Sequence, residues 1–460
     1  MTIMKSFRIN NFFDGLEWQR DIFLQVSNSG KITVVEPYKS QGFDVSLEIV
    51  IPGFHNAHSH AFQRAIAGWC EQSYDKQQNF WSWRHQMYEI AAKLTPEINQ
   101  KICQWLFVEC LEAGYTSHCE FHYVHRPHCD DTRRTKQLRA ALEMAQSVLN
   151  AAEIVDMPLC FMPVLYQHSG PDKPPTKQQK QFVFESVDDY MEYFNSLGGI
   201  RKAFCLHSLR AVSERSLIEM SKIISKSEWN RVPIHMHISE QPLEILEIKK
   251  AYGRSPLHYL NSIVDINSRW NLVHATHFDT DELNLTMDKG ATVVLCPVTE
   301  ANLGDGIFAL EHFHSHGGKF AIGSDSNIII DPFQELVLLE YGQRLKTNRR
   351  VIVSDGYNAS CGEALMRVIQ SSAKDSFGDP VGLLKPGYAA NFMSIYEDHP
   401  ALAEIPVSHL IDAIIFAGGK SCIDQVYING NCRVKDGLYL GRERLKYEFL
   451  KCISELRSAN

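Results

Sequence analysis

Two textures of apolar and polar residues divide the chain. Residues 1–52 alternate over short stretches (Ser6-Phe7-Arg8-Ile9-Asn10, then 21–26 and 31–35) separated by polar turns, the pattern of half-buried strands. From residue 53 continuous apolar runs take over, at 52–58, 115–121, 158–165, 202–206, 232–238, 270–275, 291–296 and 319–322. Helix-length amphipathic segments lie between them, among them 97–113, 134–155, 213–225 and 332–345. Strands buried on both faces read as unbroken apolar runs, and eight of them alternating with helices predict an α/β fold, a (β/α)8 TIM-type barrel. Strand texture returns after about residue 385, at 390–396, 411–419 and 424–434, with a hairpin signal at Ile428-Asn429-Gly430-Asn431. The expected organisation is a small β-sandwich domain built from both chain ends (1–52 and 386–441), a barrel over 53–385 and a C-terminal helix over 442–460. The polar stretch 170–181, after the third barrel strand, reads either as a lid or as a solvated excursion.

A TIM-type barrel carries its chemistry at the C-terminal ends of its strands, and the polar residues of interest fall there. His58 and His60 end the first run, two apart on an extended backbone and so on one face. His237 ends the fifth run, His274 the sixth, and Asp325 follows the eighth. The pair His-x-His carries little by itself, since 20 histidines in 460 residues give about one such pair by chance and the chain has four. Three imidazoles and a carboxylate gathered from different strand ends carry more. They suit one catalytic divalent ion per chain, Zn²⁺ first, with a coordination position left open. His235 shares a face with His237 but lies deeper, and so reads as packed; the alternation His312, His314, His316 reads as a solvated face. A divalent ion lowers the pKa of a bound water to about 7. Glu240, three residues past His237, is then either a proton shuttle over the ion or an exposed loop carboxylate. Asp325 can bind the ion and take up the water proton, while His274 is either a further ligand or a polariser of the water. The reaction class that follows is hydrolytic attack at a carbon–nitrogen centre.

Charge and composition exclude other classes. A net charge of −8 with no dense basic stripe argues against a nucleic-acid partner. No apolar stretch reaches the length of a membrane span, and the first residues lack the cationic and apolar segments of a secretion signal. The 12 cysteines include no Cys-x-x-Cys pair, as expected of reduced thiols in a cytoplasmic protein.

Longer motifs surround these residues: His58-Ser-His60-Ala-Phe-Gln63-Arg-Ala, Glu120-Phe-His-Tyr123-Val-His, His207-Ser-Leu-Arg210-Ala-Val, His237-Ile-Ser-Glu240-Gln, Thr299-Glu-Ala-Asn-Leu-Gly-Asp-Gly306 and Leu339-Glu-Tyr-Gly-Gln-Arg344. With Ser324-Asp325 they resemble the amidohydrolase superfamily in its one-metal deaminating branch, and within it the formimidoylglutamate deiminase family, over about residues 7–440. The resemblance implies that His58, His60, His237 and Asp325 hold zinc, and that Glu240 and His274 act as acid and base. It implies that Gln63, Tyr123, His207 and Arg210 contact a small dicarboxylate substrate. It also implies a homodimer in which Arg84, from Trp81-Ser-Trp83-Arg84, reaches in from a neighbouring subunit. The implied reaction is hydrolysis of N-formimino-L-glutamate to N-formyl-L-glutamate and ammonia in histidine degradation. A planar guanidinium such as Arg210 binds a carboxylate bidentately, which suits that substrate. The rivals are a purine or pyrimidine deaminase of the same superfamily and a non-catalytic metal-binding relative. The chain departs from the family pattern at Asn327, where His is expected, at Leu206, where Pro is expected, and at Ala389-Ala390-Asn391 in place of Ala-Asp; none of these positions is an expected ligand.

Overall fold

Eight short parallel strands carry the site. The computed structural model of the chain describes residues 4–72, 80–127, 133–171 and 173–458. Before the barrel come β1 (Lys5–Phe13), β2 (Trp18–Val26), β3 (Ile32–Pro37) and β4 (Val45–Pro52). The barrel strands are β5 (Phe54–Asn56), β6 (Tyr115–His122), β7 (Leu159–Leu165), β8 (Phe204–Ser208), β9 (Ile234–Ile238), β10 (Trp270–His274), β11 (Thr292–Leu295) and β12 (Lys319–Ile322). After it come β13 (Phe392–Ile395), β14 (Ile423–Ile428), β15 (Asn431–Lys435) and β16 (Leu438–Tyr439). Strands β5 to β12 form one parallel sheet in sequential order. The two edges meet: Ala57 N–H donates to Ile322 O at 2.9 Å, Asp325 N–H to His58 O at 3.0 Å and His60 N–H to Asp325 O at 2.9 Å. Closure therefore brings the residues after β5 against those after β12, far apart in sequence. Gly323 sits at this seam, and a Cβ there would lie 2.7 Å from His58 O, so any larger residue would force the edges apart.

The strands of the two chain ends join in a second sheet of eight, ordered β16-β15-β14-β13-β4-β1-β2-β3, with β1 and β4 parallel and the remaining pairs antiparallel. Its own apolar core centres on Phe7, whose ring meets those of Phe392 and Tyr427 edge-on at 5.3 and 5.5 Å. The expected hairpin joins β14 to β15, with Asn429 and Gly430 both at positive φ (50° and 75°), as a type I′ turn requires. The C-terminal helix Arg442–Ser458 packs on the helix Pro96–Glu112 through Trp105 and Phe449, stacked at 5.8 Å.

The run 411–419 is not a strand. It forms a helical turn, Leu410–Ala413, continued as a π-turn over Ile414–Gly418. Leu410, Ile411, Ile414 and Ile415 are the buried residues, a helical spacing that a short apolar run hides. Asp412, between them, accepts the backbone N–H of Gly362 at 2.7 Å and anchors the start of a helix beneath the barrel. No described helix is long and apolar enough to cross a membrane, and no described cysteine is in a disulfide.

Candidate active site

At the C-terminal mouth of the barrel the polar side chains converge. His58 Nε2 lies 3.2 Å from His60 Nε2 and 2.9 Å from His237 Nε2. Asp325 Oδ1 lies 3.4 and 3.2 Å from the first two. All four side chains are buried, and their donor atoms lie within 4.8 Å of one another. Two of the rings are oriented from behind. His60 Nδ1–H donates to Phe121 O and His237 Nδ1–H to His207 O, each at 3.0 Å. In the neutral rings those bonds leave each Nε2 with a lone pair aimed at the shared point. Burial holds the His58 imidazole near a pKa of about 3, and burial with the neighbouring rings keeps His237 well below the usual histidine range. Burial works to raise Asp325, but the adjoining His58 and His60 rings outweigh it and hold its carboxyl well below the usual range. Uncharged nitrogen lone pairs around one anionic oxygen are the donor set of a divalent cation.

Beside this set, His274 Nε2 lies 3.8 Å from Glu240 Oε1 and 3.9 Å from Asp325 Oδ2. His274 is not in the four-donor group; it faces the opposite oxygen of Asp325. Its Nδ1 bonds Glu300 Oε1 at 3.2 Å. Burial would lower its pKa, yet Glu240, Glu300 and Asp325 raise it to about 10. Burial raises Glu240, against the opposing pull of His274. Ser239, His274, Ala275, Asp325 and Asn327 all adopt positive φ, so backbone strain is concentrated at the strand ends that carry these groups.

A pocket opens above these groups. Gln63, Tyr123, His207, Arg210 and Arg84 all line it, together with Tyr88, Tyr166 and Phe182. Gln63 Nε2 donates to Tyr123 OH at 2.9 Å. Arg84 lies on the helix Phe80–Ala91, whose Arg84 guanidinium bonds the hydroxyls of Tyr88 and Tyr166 of its own chain. A place in a neighbour's site remains the implication of the family likeness; within the single chain the helix folds back over its own barrel, and Arg84 lines the pocket there. Co-expressed Arg84→Ala and Asp325→Asn chains should accordingly show no recovery of activity over either alone, with mixed oligomers shown to form. Recovery towards half of the wild-type value would return Arg84 to the partner.

Several contributors were not legible in the sequence. Glu300 lies inside the Thr299–Gly306 motif, yet nothing in its spacing points to His274. The stretch 170–181 runs through exposed residues into a 3₁₀ turn, Lys177–Phe182, whose Phe182 lines the pocket. Its buried Gln179 donates to Tyr166 OH at 2.7 Å and Tyr88 OH at 3.0 Å, behind Arg84. Asn327, a departure from the family pattern that falls outside the ligand set, clasps the ligand-bearing backbone. Its Nδ2 donates to Ser59 Oγ, His60 O and Asp325 O, each at 3.0 Å, and its Oδ1 accepts from Ser324 Oγ at 2.6 Å. His235 is buried on Ser376 O at 3.1 Å, as its deeper position predicts. His312 and His316 lie on an outer helical turn, away from the pocket.

The profile of the amidohydrolase family matches residues 49–433. Formimidoylglutamate deiminase of Pseudomonas aeruginosa is 35% identical over 447 residues, covering 95% of this chain and 96% of that protein. A crystal structure of an amidohydrolase from Brucella melitensis superposes with a TM-score of 0.88 at 32% identity, covering 98% of this chain and 99% of the other. An adenosine deaminase from Xanthomonas campestris with bound zinc shares the fold, with a TM-score of 0.80 at 18% identity and 98% of each chain covered. The chain belongs to the amidohydrolase family.

Proposed function

We propose that the chain hydrolyses N-formimino-L-glutamate to N-formyl-L-glutamate and ammonia, the deiminase step of histidine degradation. The observation that carries this reading is the pairing, within one pocket, of a cation donor set on the floor with Arg210, His207 and Arg84 on the walls. His58, His60, His237 and Asp325 would hold one divalent ion, zinc by their nitrogen-rich chemistry, which when bound supplies a Lewis acid beside the formimino carbon.

The chain's own groups account for the rest. Glu240, buried beside His274, moves a proton from the attacking water to the departing nitrogen, so that ammonia rather than an amide anion leaves. His274, held by Glu300 through Nδ1, keeps Nε2–H directed at Glu240 and Asp325, where negative charge gathers. Arg210 receives one substrate carboxylate as a planar fork, and Arg84, positioned by Tyr88 and Tyr166, receives the other. Gln63 and Tyr123 border the reacting end beside His60. A homodimer in the cytoplasm remains the implication of the family likeness.

A purine or pyrimidine deaminase has no use for two guanidinium groups on the pocket wall, and a non-catalytic relative has no use for an intact donor set with Glu240 beside it. Ammonia release by purified protein of known metal content separates the three. Turnover is expected with formiminoglutamate and none with adenosine or cytosine. Turnover of a nucleobase in preference to the dicarboxylate would overturn the assignment.

A further inference from the structure

Asp325 faces two ways. Its Oδ1 meets His58 and His60, while its Oδ2 looks towards His274 Nε2 at 3.9 Å. On that second side a thiol completes a trio: Cys296, His274 and Asp325 offer three ligand atoms all within 4.8 Å of one another, and all three residues are buried. The trio is braced. Glu300 Oε1 accepts both the Cys296 backbone N–H, at 2.9 Å, and His274 Nδ1–H, at 3.2 Å, so one carboxylate oxygen fixes the strand ends that carry the other two donors. Glu240 lies across from His274, so the carboxylates of Glu240 and Glu300 flank the imidazole of the trio. An anionic site with one sulfur, one imidazole nitrogen and one carboxylate oxygen selects soft or borderline divalent cations over Mg²⁺ or Ca²⁺.

We infer that Cys296, His274 and Asp325 form a second, weaker cation position, bridged to the first through Asp325, and that filling it with excess Zn²⁺ or Cd²⁺ stops turnover. Binding there forms a sulfur–metal bond and releases the thiol proton to solvent. It also occupies His274 Nε2, the atom that the proposed reaction leaves facing Glu240. Inhibition rests on that reading of the reaction; occupancy of the position does not.

Holoenzyme carrying one zinc per chain is titrated with Cd²⁺ while absorption, bound metal and activity are followed. One further equivalent should bind, with a thiolate-to-cadmium charge-transfer band in the ultraviolet and a parallel loss of activity. Cys296→Ser and Cys296→Ala should keep the first ion and wild-type activity, lack the band, and need at least about 10-fold more Cd²⁺ for half-inhibition. Using both variants separates loss of the thiol from any packing fault caused by a buried hydroxyl. Cadmium that merely replaces zinc among His58, His60, His237 and Asp325 meets no thiol, so inhibition without the band counts against the inference. A band of wild-type size in both variants, or equal cadmium sensitivity, overturns it. If the chain does not act on formiminoglutamate, the band and the stoichiometry still report on the site, so the two failures are distinguishable.

Discussion

Asp325→Asn should strip the protein of its metal and of nearly all its activity. The wild type is expected to carry about one divalent ion per chain after removal of loosely held metal. Asp325 is the only anion among four clustered donors, and it also closes the barrel seam through backbone bonds to His58 and His60. The Asn variant keeps the shape and the backbone bonds but removes the charge, leaving neutral donors only. Changes to groups behind the ligands already cost 10–100-fold in metal affinity in comparable sites, so loss of the anionic ligand itself should exceed about 100-fold. Loss of a Lewis acid worth several kcal/mol of charge stabilisation corresponds to on the order of 10³-fold or more in kcat/KM. Elemental analysis and steady-state kinetics on the same preparation check both numbers. A variant that retained one tightly held ion, or a wild type with two, would defeat the one-metal reading.

Arg210→Ala is expected to lower kcat/KM for formiminoglutamate by about 10²-fold or more while leaving metal content unchanged. A charge-assisted bidentate contact to a carboxylate is worth a few kcal/mol, and its loss appears in transition-state binding measured from free enzyme and substrate. Arg210 is buried, two residues past the end of β8, on the pocket wall that also carries His207. Arg210→Lys should recover little, because an ammonium is a point donor and cannot match two carboxylate oxygens at once. Near-normal kcat/KM in the Ala variant would remove Arg210 from the substrate.

Much of the fold was determined by local pattern. Strands buried on both faces must be apolar throughout, so β5 to β12 stand out as runs, and Pro52-Gly53 marks the passage from one sheet to the other. A catalytic barrel displays its reactive groups at strand ends, so His58, His60, His237, His274 and Asp325 could be picked out from their place after those runs. Their order along the chain was enough to expect a shared cation.

What tertiary structure alone decided depends on contacts between segments far apart in sequence. The sequence left His274 open between ligand and polariser; closure of the barrel places it on Oδ2 of Asp325, against Glu240 and Glu300, while His58 and His60 face Oδ1. That Arg84 meets Tyr166 and lines a pocket of its own chain follows only from the packing of the helix Phe80–Ala91 against the 3₁₀ turn carrying Gln179. Asn327 read only as a departure outside the ligand set because two of its three donor contacts are made across the β5–β12 seam, 267 and 268 residues away for His60 and Ser59. The run 411–419 misled because six apolar residues in nine suit either periodicity; burial of one helical stripe against the barrel settled which. Periodicity and residue type report what a segment can bury, whereas the direction of each polar group is set by the partner that closure brings to it.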